Sequence, residues 1–239
     1  MLNSRLFYHH TIVYNITNGT YANVPLPFDE YGFIMDIESS ANETLLYYCI
    51  GTDKGGAGSN GSFIVYNRLT GNYTIHDFGY DKVGLNVIRV LTDPNSDDLL
   101  YIATNQGLIT FNVSTLSVIK KYETNLEFTS LEWVNDKLYV GVSTAPVIRI
   151  FDPVEETFTV FDPSLEMIPT VNDIMFLDTT NELFVSTNRG FYGYNFTNGV
   201  LKFEGEDEGL STLTKIGIGI GIFLLAAVAI HTAIKEAID

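Results

Sequence analysis

The stretch YNFTNG at residues 194–199 has a near copy at the other end of the chain, YNITNG at residues 14–19, and the two differ only at the third residue. The same landmark, an aromatic residue followed by Asn or Asp, ends three further apolar segments, at Tyr66-Asn67, Phe111-Asn112 and Phe151-Asp152. The last four copies are spaced 45, 40 and 43 residues apart. Because Asn and Asp tolerate turn geometry and bond their own backbone, each pair predicts a strand that stops at a turn.

A second landmark precedes each of the last four copies. The segments NETLLYYCIGT, SDDLLYIAT, NDKLYVGV and TNELFVST each lead from an acidic or Asn turn into an apolar strand that ends in a small residue. These small residues, which we expect in the crowded inner part of the fold, are Gly51, Ala103, Gly141 and Ser186. The chain therefore carries five copies of the second hairpin and four of the first.

A period of about 40 to 45 residues with four short strands is typical of a β-propeller blade. We predict an all-β fold, a small β-propeller of about four to five blades, the fifth reduced to the N-terminal pair of strands. A β-sandwich of tandem hairpins is the alternative, but it leaves the recurring aromatic-Asn pair unexplained. The segments lack the WD dipeptide and the Gly-Gly pair of kelch blades, and they resemble the loosely conserved blades of NHL-type and sensor-type propellers.

The end of the chain has a different character. Residues 216–234 carry no formal charge and lie between Lys215 and Lys235. As a helix this segment would be roughly 28 Å long, close to the ~30 Å hydrocarbon core of a bilayer. Gly217 and Gly221 form a G-x-x-x-G pattern that favours close packing against another helix. We predict a propeller domain at 1–207, a juxtamembrane linker at 208–214, and a C-terminal transmembrane helix with a short tail at 215–239, which contacts the lipid membrane through residues 215–235.

Charge and glycosylation patterns indicate an external surface. The formal net charge of -16 argues against binding to nucleic acid, because it repels the phosphate backbone. The motif N-x-[ST] occurs seven times, where chance placement would give about three. The candidate glycosylation sites are Asn15, Asn18, Asn42, Asn60, Asn72, Asn112 and Asn195. The alternative is that Asn and Thr are both frequent in turns.

Residue patterns for catalysis or cofactor binding are not found in the sequence. Cys49 is the single cysteine, so no intrachain disulfide forms, and its apolar neighbours predict a buried structural thiol. The four histidines have no metal-ligand spacing, and the Gly-rich stretch at 51–62 lacks the Gly-Lys-Ser/Thr ending of a phosphate loop. We therefore predict no catalytic residue, no metal and no cofactor, and we interpret 51–62 as an exposed contact loop.

The cysteine-poor, sequon-dense domain with its C-terminal apolar segment resembles the surface proteins of hot-spring archaea and their viruses. In particular it is similar to a tail or nozzle-type virion protein of the archaeal spindle-shaped viruses. The N-terminus lacks a signal-peptide pattern, which fits a virion protein better than a secreted host protein. The resemblance implies a non-enzymatic, membrane-anchored structural protein that forms a cyclic homo-oligomer with other structural proteins. A cell-surface receptor or adhesin that binds a glycan or protein is the main alternative, and a membrane-tethered propeller enzyme is a third.

Overall fold

The computed structural model describes residues 10–15, 20–25, 32–52, 61–76, 78, 86–123, 126–143, 148–161, 170–188 and 190–205. Within these ranges the chain forms strands joined by turns. The strands are β1 (His10–Asn15), β2 (Thr20–Pro25), β3 (Gly32–Ser39), β4 (Leu45–Thr52), β5 (Phe63–Asn67), β6 (Tyr73–His76), β7 (Val87–Asp93), β8 (Ser96–Thr104), β9 (Gly107–Asn112), β10 (Ser117–Glu123), β11 (Phe128–Val134), β12 (Lys137–Val142), β13 (Ile148–Asp152), β14 (Thr157–Val160), β15 (Val171–Leu177), β16 (Glu182–Thr187), β17 (Gly190–Asn195) and β18 (Val200–Gly205).

Four antiparallel sheets of four strands account for β3 to β18. Blade 1 has the order β3-β4-β5-β6, blade 2 β7-β8-β9-β10, blade 3 β11-β12-β13-β14 and blade 4 β15-β16-β17-β18. β1 and β2 form a separate two-stranded sheet in which Asn15 pairs with Thr20. The described part of the chain therefore confirms the all-β prediction with four complete blades, and the N-terminal copy of the repeat forms a hairpin.

The first strand of each blade lies innermost. β3 contacts β7, β7 contacts β11, and β11 contacts β15. These strands run in the same direction, because the first residues of one strand contact the first residues of the next, and the last residues contact the last. The Thr129 hydroxyl donates to the carbonyl of Val171 at 2.6 Å, and the Trp133 indole N–H donates to the carbonyl of Thr92 at 2.8 Å. Four-stranded sheets arranged in this way around a common axis form a β-propeller.

Apolar side chains fill the spaces between neighbouring blades. Phe63 of blade 1 packs against Phe111 of blade 2, with ring centroids 5.3 Å apart, and both rings are buried. Phe151 and Tyr101 meet between blades 3 and 2, and Tyr139 belongs to the cluster between blades 3 and 4. Burying one such side chain contributes roughly 1.5 to 3 kcal/mol, so the stacked faces stabilise sheets that are too small to fold alone.

Each innermost strand contains a register shift at the same place, and β7 contains a second one between Thr92 and Asp93. The residue that lacks a cross-strand partner is Met35 in β3, Ile88 in β7, Thr129 in β11 and Asn172 in β15. The residues that follow the shift are therefore equivalent in the four blades: Asp36, Arg89, Ser130 and Asp173. Their cross-strand partners are Cys49, Ala103, Gly141 and Ser186.

This register corrects one prediction and confirms two others. Gly51 was expected to be the small inner residue of blade 1, but Cys49 occupies that position, because β4 continues past it to Thr52. Cys49 is fully buried, as predicted. Crowding is confirmed at Gly141, where an added Cβ would lie 2.4 Å from the Ser130 hydroxyl and 2.7 Å from a methyl of Val171.

Several predictions concern residues outside the described ranges. The described strands end at Gly205, so the linker at 208–214, the helix at 215–239 and its packing residues Gly217 and Gly221 fall beyond them. Within the ranges that the structure does describe, there is no helix with the length and apolarity needed to cross a membrane.

Candidate functional site: the turn face and the propeller axis

The aromatic-Asn landmark forms the same turn in all four blades. The side-chain oxygen of the Asn or Asp accepts backbone N–H groups two or three residues later, with distances of 2.7 to 3.2 Å. The residue four positions after it has a positive φ in every blade. These residues are Gly71 (73°), Leu116 (51°), Glu156 (54°) and Gly199 (66°). The sequence landmark therefore marks a turn, as predicted, and its left-handed position is occupied by glycine in only two blades.

The two hairpin turns of each blade lie side by side at one end of the sheet. In blade 1 the Arg68 N–H donates to the carbonyl of Thr44 at 2.9 Å, and in blade 4 the Phe196 N–H donates to the carbonyl of Asn181 at 3.0 Å. Because the innermost strands are parallel, these ends form one surface. We call it the turn face, and it comprises residues 40–45, 67–72, 93–98, 112–117, 134–137, 152–157, 177–182 and 195–200.

The opposite surface is formed by the other strand ends. We call it the far face, and its described residues are 51–52, 61–62, 86, 104–107, 123, 126–127, 142–143, 170, 187–188 and 204–205. The Gly-rich stretch at 51–62 joins β4 to β5 on this side, between two strands as predicted.

The turn face is rich in acidic residues. The turn face carries ten acidic and two basic residues, namely Glu43, Asp93, Asp97, Asp98, Asp136, Asp152, Glu155, Glu156, Asp178 and Glu182 against Arg68 and Lys137. The turn face therefore carries a net formal charge of -8, a field that attracts cationic groups.

Among the described residues, four candidate glycosylation sites lie on the turn face. Asn42 and Asn72 are exposed there. The Asn42 side-chain oxygen accepts the hydroxyl of Thr44, the third residue of its sequon, at 2.6 Å. Asn112 and Asn195 are less accessible, because they are the turn-forming residues of blades 2 and 4. The Asn195 side-chain amide also donates to Glu182 at 3.2 Å.

The turn chemistry explains part of the sequon excess. Asn112 and Asn195 occupy the position that Asn67 and Asp152 fill in the other blades, where an oxygen acceptor is needed whether or not a sequon follows. Asn15 ends β1 at the corresponding place in the N-terminal copy. Asn18 and Asn60 are outside the described residues.

A charged cluster lies where the innermost strands converge. The guanidinium of Arg89 donates to Asp36 of blade 1 at 3.2 Å and to Asp173 of blade 4 at 2.6 Å. Asp36 also accepts the backbone N–H of Val90 at 3.0 Å. The side chain of Arg89 is 29% exposed and that of Asp36 14%, so solvent screens the pair only partly. Arg89 of blade 2 therefore forms ion pairs with both blade 1 and blade 4 across the axis.

Two further carboxylates face this cluster. Burial, followed by the charge of Asp173, raises the pKa of Glu132 to about 7, even though the Phe176 backbone N–H and Arg89 oppose the shift. Burial and the neighbouring Asp36 likewise raise the pKa of Glu38, against the effect of Arg89. Burial lowers the pKa of Arg89 itself, but Asp173 and Asp36 outweigh it and hold the pKa above its ordinary value.

The charged groups at the axis are paired with one another, Arg89 with Asp36 and Asp173. The single guanidinium is occupied by two carboxylates, and nucleophilic or metal chemistry needs groups that are free to engage a ligand. Among the residues that the structure describes, no group of three His, Cys, Asp or Glu side chains is placed to hold a metal ion. Burial raises the pKa of the Cys49 thiol well above its usual range, which disfavours the reactive thiolate.

Comparison with known proteins extends the description of the fold. No family model matches the chain, and no curated protein matches it. A chain of the mitotic checkpoint complex superposes with a TM-score of 0.63 at 14% identity, over 80% of this chain and 56% of that one. Sqt1 of Saccharomyces cerevisiae gives a TM-score of 0.58 at 15% identity, over 81% of this chain and 55% of Sqt1.

A third solved structure comes from a bacterial surface protein. The extracellular domain of a hybrid two-component system of B. thetaiotaomicron superposes with a TM-score of 0.57 at 18% identity, over 81% of this chain and 25% of that domain. The fold is a β-propeller. At such identities the likeness establishes the fold alone. This chain spans little more than half the length of the first two structures and a quarter of the third.

The axial cluster has no signal in the linear sequence. Asp36, Arg89, Glu132 and Asp173 are 53, 43 and 41 residues apart, and each follows or lies near a register shift that no residue pattern announces. The signal that finds Asp36, Arg89 and Asp173 is the alignment of the four blades by their small inner residues, once Cys49 takes the place of Gly51. Glu132 lies two residues after Ser130, the equivalent residue of blade 3.

Proposed function

We propose that this chain is a non-enzymatic interaction protein, a propeller displayed outside a membrane that residues 215–235 anchor. The observation that carries the proposal is the acidic turn face, built on a rigid scaffold whose axis is already occupied by the Arg89 cluster. Loops and turns on a rigid scaffold are where binding residues concentrate. A basic protein surface is the partner whose charge complements ten carboxylates.

We further propose that the protein is a structural component of a virion, at the tail or surface of an archaeal virus. The support is the resemblance in composition and architecture, together with the apolar segment at 216–234. In this role the chains assemble as a cyclic oligomer, with Gly217 and Gly221 packing helix against helix. Mass spectrometry of purified particles and of host envelopes tests the assignment, and recovery from envelopes alone would contradict it.

A receptor or adhesin is the second candidate. The propeller neighbour from B. thetaiotaomicron is an extracellular domain, and the exposed Asn42 and Asn72 fit a glycosylated outer surface. A receptor would bind a soluble partner without particle assembly. Binding of isolated propeller to intact cells, in the absence of virion components, would favour this candidate.

Removal of residues 213–239 tests the anchor directly. The truncated chain retains every described strand and should be a soluble, folded propeller, whereas the full chain should float with liposomes in a density gradient. The matched control replaces Gly217 and Gly221 by Leu, which keeps the segment apolar and should keep flotation while weakening a helix-held oligomer in native mass spectrometry. Flotation of the truncated chain would contradict the anchor.

A further inference from the structure

The direction in which the chain leaves the propeller determines which face a membrane anchor would bring to the bilayer. β17 and β18 are joined by a turn on the turn face, so β18 runs away from that face and ends at Gly205 on the far face. The apolar segment begins at residue 216, about ten residues further along. From the sequence alone, either face could have been adjacent to the anchor.

The lengths favour the far face. Ten residues span at most roughly 33 to 36 Å when fully extended, and six residues of strand span about 20 Å. If the turn face met the bilayer, the chain would have to run back along the full height of blade 4 before entering the membrane. More than half of its reach would be used in that arrangement.

The charge of the turn face disfavours its contact with an anionic bilayer. Bilayer surfaces that contain anionic lipids repel carboxylates within about a Debye length, ~8 Å at physiological salt. The turn face presents ten acidic and two basic residues, a net formal charge of -8. Contact of the turn face with such a surface is therefore unfavourable.

The exposed sequons agree with this arrangement. Asn42 and Asn72 lie on adjacent turns of blade 1, and a glycan on either needs open space above the turn face. A bilayer pressed against that face would exclude them.

We infer that the propeller sits with its far face toward the bilayer and its acidic, sequon-bearing turn face away from it. The inference rests on the proposed membrane anchor. It adds the surface that meets lipid and the surface left for a basic partner. The neighbouring residues of the turn face, rather than the Gly-rich loop at 51–62, then form the contact surface for that partner.

Site-specific fluorescence on the full chain tests the orientation. Val154 is 86% exposed on the turn face, and Asn188 is exposed on the far face. V154C and N188C each place one thiol on one face, while the native Cys49 is fully buried and should not react with a maleimide dye. The unsubstituted chain is the labelling control. L69C on the turn face and Q106C on the far face repeat the comparison if either first variant folds poorly.

The labelled chains are reconstituted into liposomes of phosphatidylcholine with one-fifth phosphatidylserine and a trace of headgroup-labelled acceptor lipid. Energy transfer from N188C to the acceptor should be several-fold higher than from V154C, because the two faces differ in height by about 20 Å. Equal or reversed transfer in chains that float would overturn the orientation and leave the anchor standing. Failure of the full chain to float would overturn both.

Discussion

Glu132 provides the sharpest test of the electrostatics at the propeller axis. Its carboxylate is half-buried beside Asp173, and burial is the main reason that its pKa rises to about 7 from an ordinary value of 4.5. A folded-state pKa above the unfolded one means that the folded chain binds the proton more tightly. The resulting stabilisation is complete below about pH 4.5 and is lost as the pH rises through 7.

The magnitude follows from the two pKa values. Their difference corresponds to about 3 kcal/mol in full, of which about 2 kcal/mol disappears between pH 5.5 and 8.5. The variant Glu132→Gln cannot ionise and keeps the oxygen that accepts the Phe176 backbone N–H. We therefore expect E132Q to be more stable than the parent at pH 8.5, with the difference shrinking by about 2 kcal/mol at pH 5.5.

Urea unfolding of the chain without residues 213–239 measures this difference. Trp133 is the single tryptophan, and its indole N–H in blade 3 donates to the carbonyl of Thr92 in blade 2. Its fluorescence therefore reports the separation of these two blades. Glu155→Gln on the exposed turn face is the control, and it should change stability by less than about 0.5 kcal/mol at both pH values. Parallel pH profiles for the parent and E132Q would refute the account of a desolvated axial carboxylate.

Three further substitutions test other parts of the structure by urea unfolding. Arg89→Met leaves Asp36 and Asp173 facing each other without a cation and should cost about 2 to 4 kcal/mol at pH 8, whereas a loss below about 1 kcal/mol would show that solvent screens the pair. Gly141→Ala forces a methyl against the Ser130 hydroxyl and should lower the free energy of unfolding by about 1 to 3 kcal/mol. In the control Gly193→Ala the new methyl meets nothing closer than 3.5 Å, so stability should be nearly unchanged. Equal losses of stability in the two variants would contradict the crowding at Gly141. Gly71→Ala meets no atom within 4 Å but keeps a φ of 73°, so it should cost about 1 to 2 kcal/mol, and Gly71→Asn should cost less; a neutral alanine would mean that the turn relaxes.

The repeat could be predicted because its chemistry is local. Asn67 and its equivalents accept N–H groups only two or three residues away, so the turn needs no partner from elsewhere in the chain. The aromatic residue before each of them is apolar and ends an apolar strand. The period, the hairpins and the predicted blade are consequences of these short-range rules.

The small inner residue shows where local patterns become insufficient. Gly51 and Cys49 both follow the LLYY run, and either could stand where a strand is crowded. Only the pairing of Cys49 with Asp36, at the register of the other three blades, distinguishes them. That pairing depends on the innermost strand, whose register shift has no sequence signature.

The sequence by itself determined the strand-turn repeat, the all-β class and the contrast between an acidic propeller and an apolar C-terminal segment. These depend on residues a few positions apart and on hydrophobicity along the chain. The tertiary structure alone decided that Arg89 bonds to both blade 1 and blade 4 and that ten acidic residues share one face. It also decided that the last described strand, β18, ends on the opposite face. The physical reason is that these features are set by the stacking of blades and the alternating direction of strands, which bring together residues that are tens of positions apart.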